Sequence, residues 1–253
     1  GLDSFGTALS IVSDNIANAN STAFKGGTAH FGDLVAGYLA TDYVDTKAKG
    51  AGTSVLGINT NFATGSSLHT GTWSDLMIQG NGFFNVQDSN GNTFYTRDGA
   101  FRVDENGYLT DMNGFQVLDN AGAEIRIEDP ASADYPLYAS YEIDKFGVVN
   151  GTEPDGTVSE IATLRVTTFP NQEGLIRKGN NLYTPGGSAG NPINGQATVD
   201  QAGEIVCGAL EGSNVDIAKE MVNMIIYQAD FVANSKAIDT ANTMLQTVTN
   251  LVR

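Results

Sequence analysis

The chain has 253 residues, enough for a large core or for two modest domains with terminal helices. Its 29 acidic against 13 basic side chains give a formal charge of -16, which argues against a phosphate-backbone reader and disfavours anionic membranes. A single cysteine permits no internal disulfide, no apolar run approaches the length of a membrane span, and no charged-then-apolar secretory segment is visible.

In chain order, Leu2, Phe5, Leu9, Val12, Ile16 and Ala19 follow an alternating three-four spacing, which predicts a helix with a heptad seam. The run breaks at Asn18-Ala19-Asn20-Ser21-Thr22, residues that compete with helical backbone bonding and favour turns. Charge is sparse here, with Asp3 and Asp14 the only acids before Lys25. From Phe31 to Trp73 the residues are polar and interrupted by glycines, with no clear period, and read as an extended connector.

From about Leu76 to Val206 the pattern turns to short apolar runs between turn residues. Leu76-Met77-Ile78, Phe83-Phe84-Asn85-Val86, Phe94-Tyr95-Thr96, Phe101-Arg102-Val103, Tyr108-Leu109 and Phe115-Gln116-Val117-Leu118 read as strands. Between them stand Gly80-Asn81-Gly82, Asp88-Ser89-Asn90-Gly91-Asn92, Asp98-Gly99, Asn106-Gly107 and Asn113-Gly114. Asn-Gly and Asp-Gly supply the positive φ of two-residue hairpin turns, so an antiparallel meander, sandwich or partly closed barrel is predicted. A second β stretch covers residues 137–143, 161–169 and 181–183, punctuated by Pro170, Pro185 and Pro192.

At the C-terminus one apolar residue recurs every seventh position: Ile217, Met224, Phe231, Ile238, Leu245 and Val252, with no Pro or Gly in residues 213–253. The positions four further on (Met221, Gln228, Ser235, Asn242, Thr249) are mostly uncharged and polar, which makes the seam narrow and wet. A long exposed helix carries dense charge on its outer face. This one has Asp216, Lys219, Glu220, Asp230, Lys236, Asp239 and Arg253 alone. Two packings fit matching seams at both termini: a helical pair on the chain's own core, or helices offered to other copies. The shortage of outward charge favours the second.

No constellation points to catalysis, a cofactor or a metal. Asp88-Ser89-Asn90-Gly91-Asn92 begins like a calcium loop, but its Gly falls two positions early and its twelfth position is Gly99 rather than a bidentate Glu. It reads as a hairpin tip. Gly80-Asn81-Gly82 has no third glycine at a pyrophosphate-binding offset, and His30 and His69 have neither a Cys partner nor a histidine four residues on. Asp104, Glu105, Asp111 and Asp119 stand beside turn residues, where solvated tips rather than a glycosidase pair are expected. Phe83, Phe84, Tyr95, Phe101 and Phe115 are expected to fill the β core, and Cys207 to be a half-buried strand residue.

Three stretches together resemble the bacterial flagellar axial proteins, the rod and hook family. The first runs from Asp14 through Asn15, Asn18 and Asn20 to Phe24 and Lys25. The second is Gly80-Asn81-Gly82-Phe83-Phe84, continuing through Tyr95-Thr96-Arg97-Asp98-Gly99 to Gly114-Phe115. The third is Glu211-Gly212-Ser213-Asn214-Val215-Asp216, continuing through Glu220 and Asn223. The resemblance implies an α+β, multidomain chain. Residues 1–30 and 213–253 form a coiled-coil-like inner helical domain that lines a channel. An extended connector covers 31–75 and 196–212, and a mainly antiparallel outer β domain covers 76–195.

It further implies a homopolymer of many helically stacked copies, partnered by other axial, junction and cap proteins, without nucleic acid or membrane insertion. Self-assembly is then expected to rest on Leu2, Phe5, Leu9, Val12, Ile16, Ile217, Met221, Met224, Phe231, Ile238, Leu245 and Val252. Within the family, residues 24–34 and 52–58, with Phe62, look most like the hook protein, an extracellular flexible universal joint. The distal rod protein, a periplasmic drive shaft, is the alternative; a secreted glycan-binding β protein is a third reading from another class. Two features depart from the hook pattern. Residues 117–137 leave no room for an extra outermost domain, and Ala229 stands where an Arg commonly follows the Gln.

Overall fold

A computed structural model describes residues 1–36, 49–128, 138–199 and 201–251. The chain divides into two compact units, one of Gly1–Ala19, Gly26–Asn61 and Val215–Arg253, the other of Asn20–Lys25 and Phe62–Asn214. The fold is α+β, with two long helices and antiparallel sheets.

The first unit holds α1 (Leu2–Ala17), β1 (Gly27–Ala36), β2 (Lys49–Thr60) and α2 (Ile217–Leu251). The first helix ends where Asn18 turns its amide back: both its backbone N–H and its Nδ2 donate to the Asp14 carbonyl, at 3.1 and 2.9 Å. Its buried stripe is Ser4, Ala8, Val12 and Asn15. Of the expected seam only Val12 lies on that stripe; Leu2, Phe5, Leu9 and Ile16 are half-buried at its side. Small side chains suit a close approach to the β hairpin, on which Ser4 Oγ donates to the Thr53 carbonyl at 2.8 Å. Asn15 fixes the other end, exchanging hydrogen bonds with the Gly27 backbone at 2.8 and 2.9 Å.

Much of the stretch read as connector is thus the β1–β2 hairpin, paired from Gly27↔Thr60 to Ala36↔Lys49. Its register shifts between His30 and Phe31 and again between Leu34 and Val35. Those irregularities, with glycines at 32, 50, 52 and 57, erase the two-residue alternation that would have announced strands.

The second unit opens with β3 (Ser67–His69), β4 (Leu76–Gln79), β5 (Phe83–Gln87), β6 (Thr93–Thr96), β7 (Arg102–Val103), β8 (Leu109–Thr110) and β9 (Gln116–Val117). It continues with β10 (Ser140–Ile143), β11 (Val148–Thr152), β12 (Val158–Thr163) and β13 (Val166–Thr168). The last strands are β14 (Leu175–Gly179), β15 (Leu182–Pro185), β16 (Ile193–Gly195), β17 (Glu204–Cys207) and β18 (Ala209–Glu211). Its main sheet runs β14-β15-β6-β5-β9-β8-β7, with β13 joining β5 to β16, and β10-β11-β12 form a second meander. Strands β17 and β18 return late in the chain to pair with β4 and β3.

Phe83 and Phe84, adjacent on β5, point to opposite faces and fill two separate cores. Phe84 packs edge-on to Phe101 at 5.2 Å within a Leu, Ile and Val core; Phe83 meets Phe62, Phe169 and Tyr183 at 5.5–5.9 Å in an aromatic one. Tyr95 is buried as expected, and Phe115 is half-buried and stacked on Phe94 at 5.5 Å.

The hairpin turns differ from the two-residue form expected. At Asp88, Asp104, Asp111, Asp119 and Asp144 the first residue accepts, through its carbonyl, the N–H of a glycine three residues on. Its own N–H donates to the carbonyl four residues on. Asn90, Asn106 and Asn113 keep negative φ, while Gly91, Gly107 and Gly114 take values of +84°, +82° and +83°. The physical reason is the leading carboxylate. Asp104 Oδ1 accepts from Asn106 and Tyr108 N–H groups at 2.9 and 2.8 Å, which stabilises a longer turn with its glycine last. Asp88 does the same with Asn90 and Asn92, so the calcium-like loop spends its first carboxylate on its own backbone.

Candidate functional site

Two places gather the residues singled out from the sequence: the surface of α2, and a buried cluster in the β unit.

Helix α2 starts with Asp216, whose Oδ1 accepts from the N–H groups of Ala218 and Lys219 at 2.9 and 3.2 Å, a side-chain N-cap. It then runs 35 residues, about 52 Å at 1.5 Å per residue, against about 24 Å for the 16 residues of α1. None of its residues is buried. The half-buried ones, Glu220, Asn223, Met224, Tyr227, Asp230, Asn234 and Ser235, stop at residue 235. The face turned inward therefore pairs the seven-residue series mainly with positions three further on (Glu220, Tyr227, Asn234), not four. The Tyr227 ring decides this: it stands 6.4 Å from Phe5 and 6.1 Å from Phe31, which are themselves 5.6 Å apart. That trio buries more apolar area than the Gln228 amide would.

Of the expected seam on α2, Met224 lies on the inward face; Ile217 and Phe231 are at its edge, 38 and 39 % exposed. Met221, Ile238 and Leu245 face solvent, and Val252 lies outside the described residues. Every residue of 236–251 is exposed, among them Ile238, Met244, Leu245, Val248 and Leu251. The threonines there turn inward on the helix: the hydroxyls of Thr240, Thr243, Thr247 and Thr249 donate to carbonyls four residues back, at 2.8–2.9 Å. The end of α2 thus presents apolar side chains and threonine hydroxyls already satisfied within the helix, beside the amides of Asn242, Gln246 and Asn250.

The second place joins all three motif stretches. Lys25, from the first, is fully buried and donates to Glu211 Oε1 at 2.5 Å and to the Ala63 carbonyl at 2.9 Å. Glu211, from the third, also accepts the Gly65 N–H at 2.9 Å. Arg97, from the second, sits 3.7 Å from Glu211 Oε2, donates to the Ile78 carbonyl and lies over the Phe83 ring at 5.1 Å. All three side chains are fully buried. Burial pushes the Lys25 ammonium below the ordinary lysine range, against the pull of Glu211. Around them Asn181 Nδ2 donates to the Thr22 carbonyl, Asn214 N–H to the Phe24 carbonyl, and Arg177 to the Lys25 carbonyl. Ala23, buried between, holds φ at +53°, a conformation that costs a non-glycine residue about 1–3 kcal/mol unless its surroundings enforce it.

Of the other motif residues, Asn15 and Asn18 close α1 and Asn20 is exposed. Gly80 and Gly82 flank Asn81, which pairs with Ala202; a side chain at Gly82 would meet Val166. Asn214 Nδ2 donates to the Ala63 carbonyl, and Val215, Glu220 and Asn223 lead into the inward face of α2. Arg97 and Glu211 were quoted within the motifs without a role; Tyr227 was missed altogether. Its signal was available as the single aromatic three residues after a seam position.

Residues 77–151 match the model of the flagellar hook protein FlgE/F/G D1 domain, and residues 207–251 that of the flagellar basal body rod FlgEFG protein C-terminal region. The flagellar basal-body rod protein FlgG of Bacillus subtilis (strain 168) is 33% identical over 262 residues, spanning 100% of this chain and 96% of the relative. The chain belongs to the flagellar rod and hook protein family. FlgG of Borreliella burgdorferi is also 33% identical, over 96% of this chain and 92% of its own. The flagellar hook protein FlgE of Escherichia coli (strain K12) is 25% identical over 402 residues, covering 99% of this chain and 98% of its own. Against the 253 residues here, that alignment leaves about 150 positions of this hook protein without a counterpart. Among the described residues no helix is long and apolar enough to cross a membrane.

Proposed function

We propose that the chain is a structural subunit of the distal rod, the shaft of the flagellar basal body, and that it works by polymerising with copies of itself. The observation that carries this is collinearity. Rod relatives match from end to end at 33% identity, whereas the hook relative is less similar and has a large segment that this chain lacks. The sequence put the hook first, on residues 24–34 and 52–58 with Phe62. The comparisons favour the rod, and the missing room between residues 117 and 137 points the same way.

In this reading the terminal helices pack with those of neighbouring copies into an inner tube. A head-to-tail contact whose rotation does not close gives an open filament. The exposed end of α2, with its apolar residues and self-satisfied threonines, supplies the surface such packing needs. A shaft carries torque through contacts that do not slide, and a short chain without a further outer domain suits that better than a bending joint. No catalytic role enters. Immunogold electron microscopy of isolated hook–basal bodies with an epitope-tagged copy tests the assignment: gold is expected on the rod. Gold along the curved segment beyond the outer ring would make the hook the correct answer.

A further inference from the structure

The chain passes between its two units at four places, after Ala19, Lys25, Asn61 and Asn214. The segments of the β unit that adjoin these crossings are residues 20–25, 62–66 and 211–214, and all three converge on one carboxylate. Glu211 reaches the first through Lys25 Nζ and the second through Gly65 N–H, and it belongs to the third. Its backbone carbonyl accepts the Ala23 N–H at 2.7 Å, and the Gly212 N–H donates to the Ser66 carbonyl at 2.7 Å. Arg97, placed by the main sheet just after β6, faces the same carboxylate from the other side. We infer that Lys25, Glu211 and Arg97 form a latch that fastens these three segments to the β unit as one cooperative piece, closing only when residue 211 is in place.

The charges give the reason. Two buried cations share one anion, and the Nε and Nη2 of Arg97 have no hydrogen-bond partner among the described residues. Removing the negative charge leaves Lys25 and Arg97 facing each other in a dry site, an arrangement far costlier than the intact set. The main sheet cannot rehydrate Arg97 without breaking; the three segments can swing away from it. Opening is therefore local and concerted, and it does not depend on whether the assembled structure is rod or hook.

Hydrogen exchange on the full-length monomer tests this. In Glu211→Gln, exchange at the amides of Ala23, Gly65, Gly212 and Asn214 is expected to accelerate together, by about 100-fold. Amides of the β5–β6 ladder, such as Val86 and Phe94, keep their wild-type rates. The triple variant K25M/R97M/E211M, which removes all three charges at similar volume, is expected to restore protection at the four sites. Acceleration at Gly65 alone, no acceleration, or loss of protection in the β5–β6 ladder as well would each overturn the latch. So would a triple variant that stays open, because uncompensated charge would then not be what opens it.

Discussion

Asp111 carries more than a solvated loop tip would. It is buried, and its Oδ1 accepts the N–H groups of Asn113 and Phe115 at 2.8 and 2.9 Å while Oδ2 takes the Asn113 side-chain amide at 3.0 Å. Asp111→Ala strands both backbone donors and is expected to cost about 1–3 kcal/mol in urea unfolding. An unchanged midpoint would show that the turn closes without its carboxylate. Gly107 serves the neighbouring turn differently. At φ +82°, its missing Cβ would lie 1.7 Å from the Glu128 carbonyl oxygen, so Gly107→Ala must break backbone packing and is expected to destabilise more than Asp111→Ala. The exposed Asp155 reports the same turn chemistry through pH. The Thr157 backbone N–H holds its carboxyl below the usual 3.8. A depressed folded value contributes stability that is present above 3.8 and is lost as pH falls through the folded value. The stability gap between wild type and Asp155→Ala should therefore narrow on acidification below 3.8, and a gap that widens there would reverse the assignment.

At the scale of elements, α2 divides by burial along its length. Its first half packs inside the monomer through Tyr227; from residue 236 to 251 every residue is exposed. Tyr227→Ala is expected to loosen the helical unit by roughly half the 3–5 kcal/mol of a fully buried ring, since Tyr227 is half-buried. Leu245→Asp, at a position 66 % exposed, should leave the monomer's melting unchanged and abolish polymers in electron micrographs. Normal polymers from that variant would remove the end of α2 from the assembly surface. Phe231→Asp, at the border, should do both in part.

The helix itself was legible because forty-one residues without Gly or Pro leave few alternatives, and the seven-residue series gave its phase within one position. The face chosen was not legible, because it depended on two rings, Phe5 and Phe31, that approach from other elements. The β1–β2 hairpin stayed hidden behind its bulges, whereas the strands after Leu76 were announced by their turns. The latch was illegible for a different reason: Lys25 and Glu211 lie 186 residues apart, and only the pairing of β17 and β18 with the early strands β4 and β3 brings them together.

For the whole molecule, the two units differ in how much each buries. The β unit holds two cores of buried side chains, whereas in the helical unit α2 buries no residue and α1 four, two of them polar. Stability follows burial, so the monomer should not unfold as one cooperative piece. The chain supplies a separate probe for each part. Both helices belong to the first unit, and the single Trp73 packs against Tyr141 at 4.8 Å, tilted by 32°, in the second. On heating dilute monomer, ellipticity at 222 nm should fall before Trp73 fluorescence changes. If polymerisation binds the folded helices and not the unfolded ones, as proposed, it should raise the first transition and bring it towards the second. Coincident transitions in the monomer would mean that the helices are held by their own chain, leaving assembly little ordering to do. A first transition indifferent to polymerisation would mean that the subunits meet through surfaces other than α2.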